Sequence, residues 1–311
     1  MYITDWNGYR QINFSVGKRE SFVICPKDPL PGNPWVWRTE FFGAFDTVDR
    51  ALLEKGWHLA YHRVSDMYGC PQAVDWMHDF YEIAVKGYRL HEKPALFGFS
   101  RGGLYAVNFA AKYPECCGVL YLDAPVADIR SWPGGWGKGS GEPACWKECR
   151  MWYGLTEETA ADFHGNPLDY AAKNAADGIP VILVCGGGDE VVPYSENGAL
   201  YYERYRAVSD QIELIVKPDC GHHPHSLEDP APVVEFIEKV YAKLAEKAEL
   251  KAIMEKFAAS GWEQIAVPAE QWLAGCFDRD AFIVAITEAD RQCGSCGCEF
   301  DPLYKRALEL I

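Results

Sequence analysis

Ser100 lies between a short apolar run and a run with helical spacing, and this arrangement constrains the fold more than any other stretch. Residues 94–97 have the length and apolarity of a buried strand, and residues 104–111 are typical of a helix. Gly98 and Gly102 flank the serine in the pattern G-x-S-x-G. A sharp strand-to-helix turn of this kind exposes the serine oxygen at a helix N-terminus, where negative charge is favoured. The stretch therefore predicts a nucleophilic serine.

Strand-like and helix-like runs alternate over most of the chain. The predicted strands are residues 11–16, 21–25, 57–61, 94–97, 117–122, 179–185 and 212–216. The predicted helices are residues 41–55, 71–85, 104–111, 196–208 and a segment from 232 onward. Four prolines and a glycine favour an irregular loop over residues 27–35. This alternation predicts an α/β domain with a mostly parallel sheet and right-handed crossovers.

Two regions depart from the alternation. Residues 127–178 are rich in tryptophan, glycine and polar residues and are predicted to form a lid insertion with a short helix at 156–163. Residues beyond 247 show only amphipathic helical spacing, at 250–259, 269–273, 279–289 and 302–310. We therefore expect an α/β domain over residues 1–247 and a helical extension over 248–311.

The charge of the chain limits the classes of partner. Its 311 residues carry a net charge of −15 that is scattered rather than clustered, which argues against nucleic acid and anionic membrane surfaces as partners. The first residues lack the basic and apolar regions of a signal peptide, although a removed signal would leave no trace. We expect a cytoplasmic protein and leave its oligomeric state open.

The chain contains twelve cysteines. Four lie in apolar runs and are predicted to be buried, namely Cys25, Cys116, Cys117 and Cys185. Cys293, Cys296 and Cys298 form a dense cluster that could bind a metal with Cys276 or form a disulfide. Reduced thiols are the favoured interpretation, because no second pair has the spacing of a zinc ribbon. We expect neither a metal nor another cofactor.

A nucleophilic serine needs a base, and the base needs a carboxylate to orient it. Asp189 follows the predicted strand 179–185 in a glycine-rich run that lets a carboxylate turn back over the sheet edge. Glu190 competes for this role but should point away from its neighbour. Asp123, at the end of another predicted strand, is the second competitor.

A histidine-rich run follows the last predicted strand. His222 directly follows Gly221 and is the preferred base, with His223 as the alternative. Together with His225, these residues could instead bind a metal. The chain order of serine, acid and histidine favours the base.

Three stretches, residues 98–102, 188–193 and 221–225, resemble the catalytic loops of the α/β-hydrolase superfamily. The resemblance covers about residues 11–248. It implies the α/β-hydrolase fold, a triad of Ser100, His222 and Asp189, and no cofactor.

The loop that completes the oxyanion hole departs from the superfamily pattern. The usual His-Gly after the third strand is missing, and residues 32–38 take its place. We expect the backbone N–H groups of Arg101 and Trp37 to hold the oxyanion, with Asn33 and Val36 as alternatives to Trp37.

The leading functional prediction is a carboxylic ester hydrolase; a serine peptidase of the prolyl-peptidase kind and a non-catalytic binder are the alternatives. Several tryptophans are expected near the mouth of the site, namely Trp35, Trp37, Trp132, Trp136, Trp146 and Trp152. They either pack the lid onto the sheet or bind sugar rings. In the second case Trp35, Arg38, Trp132 and Trp136 bind a small-molecule or oligosaccharide ester. Arg38, Arg101 or Arg130 would then contact its carboxylate or hydroxyl groups.

Overall fold

The computed structural model of the protein describes residues 1–276 and 278–311. The chain forms two compact units, Met1–Ile237 and Glu238–Ile311. The division between them falls within one long helix that also contains the predicted boundary at residue 247.

A mixed sheet of nine strands forms the centre of the first unit within the described residues. Its strands are β1 (Tyr2–Trp6), β2 (Tyr9–Val16), β3 (Arg19–Cys25), β4 (Trp35–Arg38), β5 (His58–His62), β6 (Ala95–Phe99), β7 (Val119–Asp123), β8 (Val181–Gly186) and β9 (Ile212–Lys217). Their order is β1-β2-β3-β5-β4-β6-β7-β8-β9. The pairs up to β3·β5 are antiparallel, and all pairs from β5·β4 onward are parallel. The predicted α/β-hydrolase fold class is confirmed.

The helices connect and flank these strands. They are α1 (Thr47–Glu54), α2 (Pro71–Tyr88), α3 (Gly102–Lys112), α4 (Pro143–Tyr153), α5 (Glu157–Ala161), α6 (Pro167–Ala176), α7 (Gly198–Arg206), α8 (Ala231–Ala258), α9 (Glu263–Leu273), α10 (Arg279–Cys293) and α11 (Asp301–Leu310). None of the described helices combines the length and apolar character needed to cross a membrane.

The start of one predicted helix is wrong, and two segments predicted separately form one helix. Helix α1 begins at Thr47 rather than at residue 41, because Phe41, Gly43 and Phe45 have φ values of 52°, 82° and 50°, which no right-handed helix contains. Helix α8 joins the helix predicted from residue 232 to the helical segment predicted at 250–259, because neither glycine nor proline interrupts it after Pro232.

Strand β4 was missed, and residues 32–38 were interpreted as a loop throughout. The strand has only four residues, all of them buried, and it pairs with β5 on one side and β6 on the other. A short strand that is buried on both faces shows no alternation of apolar and polar residues. The prediction of a loop therefore depended on the prolines that precede the strand.

The strand order fixes the position of the site. Strands β4 and β6 are neighbours, but the chain leaves β4 toward β5 and leaves β6 toward β7, in opposite directions along the sheet. The loops at their carboxyl ends therefore diverge, and ligands of open α/β sheets bind in the crevice at such a switch point.

The second unit is helical and has an apolar core of its own. Its buried core side chains are Leu250, Ile253, Met254, Phe257, Ile265, Ala269, Phe282, Ile286, Ala289, Tyr304 and Ala307. Helices α9, α10 and α11 overlap the helical segments expected there.

Candidate active site

Ser100 occupies the sharp turn between β6 and α3. Its φ of 49° lies in the left-handed region, which a serine adopts only where neighbouring contacts enforce it. Those contacts come from the end of β7: the Ser100 N–H donates to the carbonyl of Asp123 at 2.9 Å, and its carbonyl accepts from the N–H of Val126 at 2.9 Å. The strained turn holds the hydroxyl at the carboxyl edge of the sheet.

Close backbone packing explains the glycines around the serine. A Cβ at Gly98 would lie 2.9 Å from Cβ of Ala106, and one at Gly103 would lie 2.6 Å from Cβ of Pro125. Side chains at either position would push helix α3 away from the sheet. The glycines are therefore required by the packing under the nucleophile.

Asp189 follows β8 and its side chain is fixed by the backbone of its own loop. Oδ1 accepts the N–H groups of Val191 and Val192 at 2.9 and 2.8 Å. This leaves Oδ2 free to face the histidine loop. The adjacent Glu190 is exposed, whereas Asp189 is only 7% exposed, so the preference for Asp189 over Glu190 agrees with the geometry.

His222 connects the serine to this carboxylate. Its Nε2 lies 2.9 Å from Oγ of Ser100, and its Nδ1 lies 2.7 Å from Oδ2 of Asp189. A carboxylate only accepts hydrogen bonds, so Nδ1 carries the ring proton and Nε2 is left to accept from the serine hydroxyl. The three side chains thus form a chain of hydrogen bonds suited to removing the serine proton.

The segment that carries Asp189 and the segment that carries His222 lie against each other at Gly186 and Gly221. A Cβ at Gly186 would lie 2.3 Å from the carbonyl oxygen of Gly221, the residue before His222. The absence of a side chain therefore sets the distance between the two loops.

The other histidines of this loop have different surroundings. Nδ1 of His225 lies 2.7 Å from Oδ1 of Asp123, and His223 is exposed. Partial burial lowers the pKa of His223, and the neighbouring His225 and His222 act in the same direction. One ring nitrogen of each histidine lies within 4.8 Å of the others, but both nitrogens of His222 already have partners in Ser100 and Asp189. The geometry thus favours the triad over a metal site.

Trp37 is not an oxyanion donor. It lies within β4 between β5 and β6 and is 1% exposed, so its N–H belongs to the sheet. The alternatives fail for similar reasons: Val36 belongs to the same strand, and the N–H of Asn33 donates to the carbonyl of Leu30 at 3.0 Å.

The loop after β4 supplies N–H groups beside the nucleophile instead. In the described part of the chain, the N–H groups of Arg101 and Glu40 have no hydrogen-bond acceptor. A Cβ at Gly102 would lie 3.7 Å from the backbone nitrogen of Glu40, so this loop lies against the turn that follows Ser100. The sequence offered no signal for it, because β4 was not recognised.

The side chains of Glu40 and Arg101 tie these two segments together. Nε of Arg101 lies 2.6 Å from Oε2 of Glu40, and Nη2 lies 2.9 Å from Oδ1 of Asp66. Glu40 is 1% exposed, and its Oε1 also accepts from the Ser65 hydroxyl at 2.6 Å. This ion pair holds the loop after β4 against the nucleophile turn.

Two predicted substrate-binding residues are buried structural side chains. Trp35 is fully buried, and its indole N–H donates to the carbonyl of His91 at 2.7 Å. Arg38 is also fully buried, with Nε and Nη2 at 3.2 and 3.0 Å from the carboxylate of Asp49. Burial raises the pKa of Asp49, although Arg38 opposes this effect. Neither side chain can reach a ligand, because both are fully buried.

The tryptophans of residues 127–178 have mixed surroundings. Trp136 is 45% exposed and lies edge-on to Trp146, with ring centroids 5.5 Å apart. Trp132 is half-buried, 6.4 Å from the ring of Tyr68. Trp146 is buried, and Trp152 packs partly against the core. Trp132 and Trp136 therefore remain candidates for substrate binding.

Arg130, which was expected to be available for a ligand, is already paired. Its Nη2 lies 2.7 Å from Oδ2 of Asp128, and its Nη1 donates to the carbonyl of Ala161 at 2.9 Å.

Two phenylalanines beside the triad were missed. Phe41 and Phe45 are 40% and 39% exposed. Phe45 stacks on His223 at 5.5 Å, and the Arg101 guanidinium lies 5.2 Å from the centre of the Phe41 ring. Their run FFGAF was interpreted as the start of a helix; its glycine was the available signal for a loop.

Comparisons with known proteins agree with this fold. The sequence matches the prolyl oligopeptidase family over residues 55–249. The structure is similar to the esterase Pf2001 of Pyrococcus furiosus, with 15% identity, a TM-score of 0.51, and coverage of 76% of this chain and 97% of that chain. It is also similar to a puromycin-hydrolysing peptidase of Mycobacterium tuberculosis, with 14% identity, a TM-score of 0.53, and coverage of 71% and 36%, respectively. No curated protein sequence matches the chain.

Proposed function

Since this chain belongs to the prolyl oligopeptidase family and has the α/β-hydrolase fold, we propose that it is a serine hydrolase that cleaves a carboxylic ester. The observation that carries the proposal is the chain of hydrogen bonds from Ser100 through His222 to Asp189, with distances of 2.9 and 2.7 Å. The same geometry argues against a non-catalytic binding protein, since no member of the triad is missing or turned away.

The proposed reaction follows from these contacts. His222 Nε2 accepts the hydroxyl proton as Oγ of Ser100 attacks the acyl carbon, and Asp189 stabilises the imidazolium that forms. The N–H groups of Arg101 and Glu40 hold the oxyanion. The imidazolium then returns the proton to the leaving alcohol, and a water molecule, deprotonated by His222, releases the acid from the serine. Removing one oxyanion donor typically costs 10²–10³ in kcat, so the loop after β4 should contribute to catalysis, although less than Ser100 or His222.

Exposed aromatic side chains of the loop after β4 and of residues 127–178 support a substrate with flat apolar faces. Trp136, Phe41 and Phe45 are exposed, and Trp132 is partly so. Flat aromatic faces pack against the apolar faces of sugar rings. We therefore propose an acylated or methyl-esterified carbohydrate as the substrate class. Neither Arg101 nor Arg130 is free to bind a substrate carboxylate, because both guanidinium groups already face carboxylates of the protein.

A serine peptidase is the second candidate, because the family match favours peptide substrates. The chain spans only 36% of the puromycin-hydrolysing peptidase but 97% of the esterase Pf2001. Both neighbours share the fold of this chain, so substrate measurements are needed to distinguish the two activities.

Two measurements test the proposal. A fluorophosphonate probe followed by peptide mapping should label Ser100, and Ser100→Ala should not be labelled. A substrate panel should then show higher kcat/KM for acetylated oligosaccharides than for aminoacyl p-nitroanilides or for p-nitrophenyl esters of long acyl chains. Labelling at another residue would refute the nucleophile, and preference for the anilides would establish the peptidase.

A further inference from the structure

Three sulfur atoms and a carboxylate converge between the end of α10 and the start of α11. Sγ of Cys293 lies 3.2 Å from Sγ of Cys296 and 3.5 Å from Sγ of Cys298. Oδ1 of Asp301 lies 3.5 Å from Sγ of Cys296 and 3.3 Å from Sγ of Cys298. The four ligand atoms all lie within 4.8 Å of one another. A single ion can therefore contact all four after small side-chain rotations.

These separations match a tetrahedral metal site rather than a disulfide. A zinc ion bound at about 2.3 Å by thiolates places its ligand atoms about 3.8 Å apart. A covalent sulfur–sulfur bond is only about 2.05 Å long, and all three cysteines are free. We propose that Cys293, Cys296, Cys298 and Asp301 bind one zinc ion.

The three thiolates and one carboxylate oxygen favour zinc over other metals. Thiolates favour zinc, copper(I) and iron–sulfur clusters, and a carboxylate oxygen as the fourth ligand fits zinc among these. Four protein ligands leave no open coordination position, so the site is structural rather than catalytic. The spacing C-x-x-C-x-C delivers all three sulfurs from one short segment.

Two further contacts orient the ligands. The N–H of Gly297 donates to Oδ2 of Asp301 at 2.7 Å, which turns Oδ1 toward the sulfurs. The hydroxyl of Tyr304 is buried and has no hydrogen-bond partner within the described residues. It lies beside Cys293. A metal-bound Cys293 thiolate would give this orphaned hydroxyl an acceptor.

The proposed site departs from the sequence-based expectation of reduced thiols without a metal, and its fourth ligand is not the Cys276 of the metal alternative. Cys276 lies outside the group: it is exposed, and its Sγ is directed at the carbonyl of Ala274 at 3.6 Å. Asp301 takes its place because the first turn of α11 returns to the cysteine loop.

The position of the site between two helices indicates a structural role. It joins Cys293, the last residue of α10, to Asp301, the first residue of α11. The second unit has a small core, and units of this size commonly need a metal or disulfides for stability. Zinc would fix the crossing of these two helices.

The test uses the full chain, purified in reducing buffer without added metal. Elemental analysis should find about one zinc per chain. Cys296→Ser and Asp301→Ala should weaken zinc binding at least tenfold in competition with a chromophoric chelator. Cys276→Ser is the matched control and should bind zinc like the unaltered protein. Cobalt(II) added to the metal-free protein should give the visible bands of a tetrahedral thiolate site, and Cys296→Ser should lose them.

Thiol titration with and without zinc keeps the proposal testable if a variant does not fold. Zinc should protect about three thiols of the unaltered chain from a disulfide reagent. The proposal is overturned if metal-free protein gives no tetrahedral cobalt spectrum and no thiol protection. Iron with acid-labile sulfide, or a disulfide within residues 293–298 in protein purified under reducing conditions, would also overturn it. None of these measurements depends on hydrolase activity.

Discussion

Nδ1 of His225 lies 2.7 Å from Oδ1 of Asp123, so a second buried histidine–carboxylate pair lies beside that of His222 and Asp189. Oδ2 of Asp123 accepts the N–H of Ser226 at 2.8 Å. Both oxygens of Asp123 therefore hold the turn that follows the base and do not orient the base itself. The two pairs have similar geometry but separate functions.

The triad proposal predicts unequal effects of substituting Asp189, which belongs to the triad, and Asp123, which does not. Ser100→Ala and His222→Ala should each lower kcat on an activated ester by several powers of ten, and Asp189→Asn should cost about 10³–10⁴. Asp123→Asn is the matched control and should lower kcat less than about tenfold. Asp123 contacts the turn that follows His222 and not His222 itself, so the substitution affects the base only indirectly. Steady-state kinetics with unfolding curves would measure this. Turnover by Ser100→Ala above about 1% of the unaltered enzyme, with contamination excluded, would refute the triad.

Substituting an exposed tryptophan should weaken substrate binding, whereas substituting a buried one should lower stability. Trp136→Ala should raise KM for an acetylated oligosaccharide several-fold and change the free energy of unfolding by less than about 0.5 kcal/mol. Trp35→Phe should lower the free energy of unfolding by about 1–3 kcal/mol, because it leaves a cavity and deprives the His91 carbonyl of its donor. Its KM should not change. An unaltered KM in Trp136→Ala would remove this side chain from the substrate surface.

Substitutions in the buried pair of Arg38 and Asp49 should have non-additive effects on the free energy of unfolding. Arg38→Met should lower the free energy of unfolding by about 3–5 kcal/mol, since it leaves a buried carboxylate without its partner. The double variant Arg38→Met/Asp49→Leu should recover much of that loss. Urea unfolding of the unaltered protein, of Arg38→Met, of Asp49→Leu and of the double variant gives the coupling energy. A higher KM without a loss of stability in Arg38→Met would instead support the original assignment of Arg38 to the substrate.

His62 should make stability depend on acidity. Burial lowers its pKa from 6.5 to about 4, and the nearby Arg19 acts in the same direction. Between these values the unfolded chain binds a proton that the folded chain does not, so the free energy of unfolding falls as pH decreases from 6.5 toward 4. The loss attributable to this group is about 3 kcal/mol. His62→Gln should flatten the slope in urea titrations at several pH values; an equal slope in both proteins would contradict the assignment.

The parts of the fold that could be predicted are those with a local signal. Strand β6, the turn at Ser100 and helix α3 were expected because apolar runs and glycines follow one another within a few residues. Strand β4 was not expected, because four residues buried on both faces lack a periodic pattern. Because β4 was not predicted, Trp37 was wrongly assigned to the oxyanion hole and Arg38 to substrate binding.

The sequence by itself indicated the alternation of most strands and helices, the nucleophile turn, and the residues from which an acid and a base would come, because these depend on spacing along the chain. Tertiary structure alone decided that His222 faces Asp189 while His225 faces Asp123. It also decided that Asp301, not Cys276, joins the cysteine cluster. The physical reason is that burial and hydrogen-bond partners arise from segments distant in sequence, and no local pattern records which segments will meet.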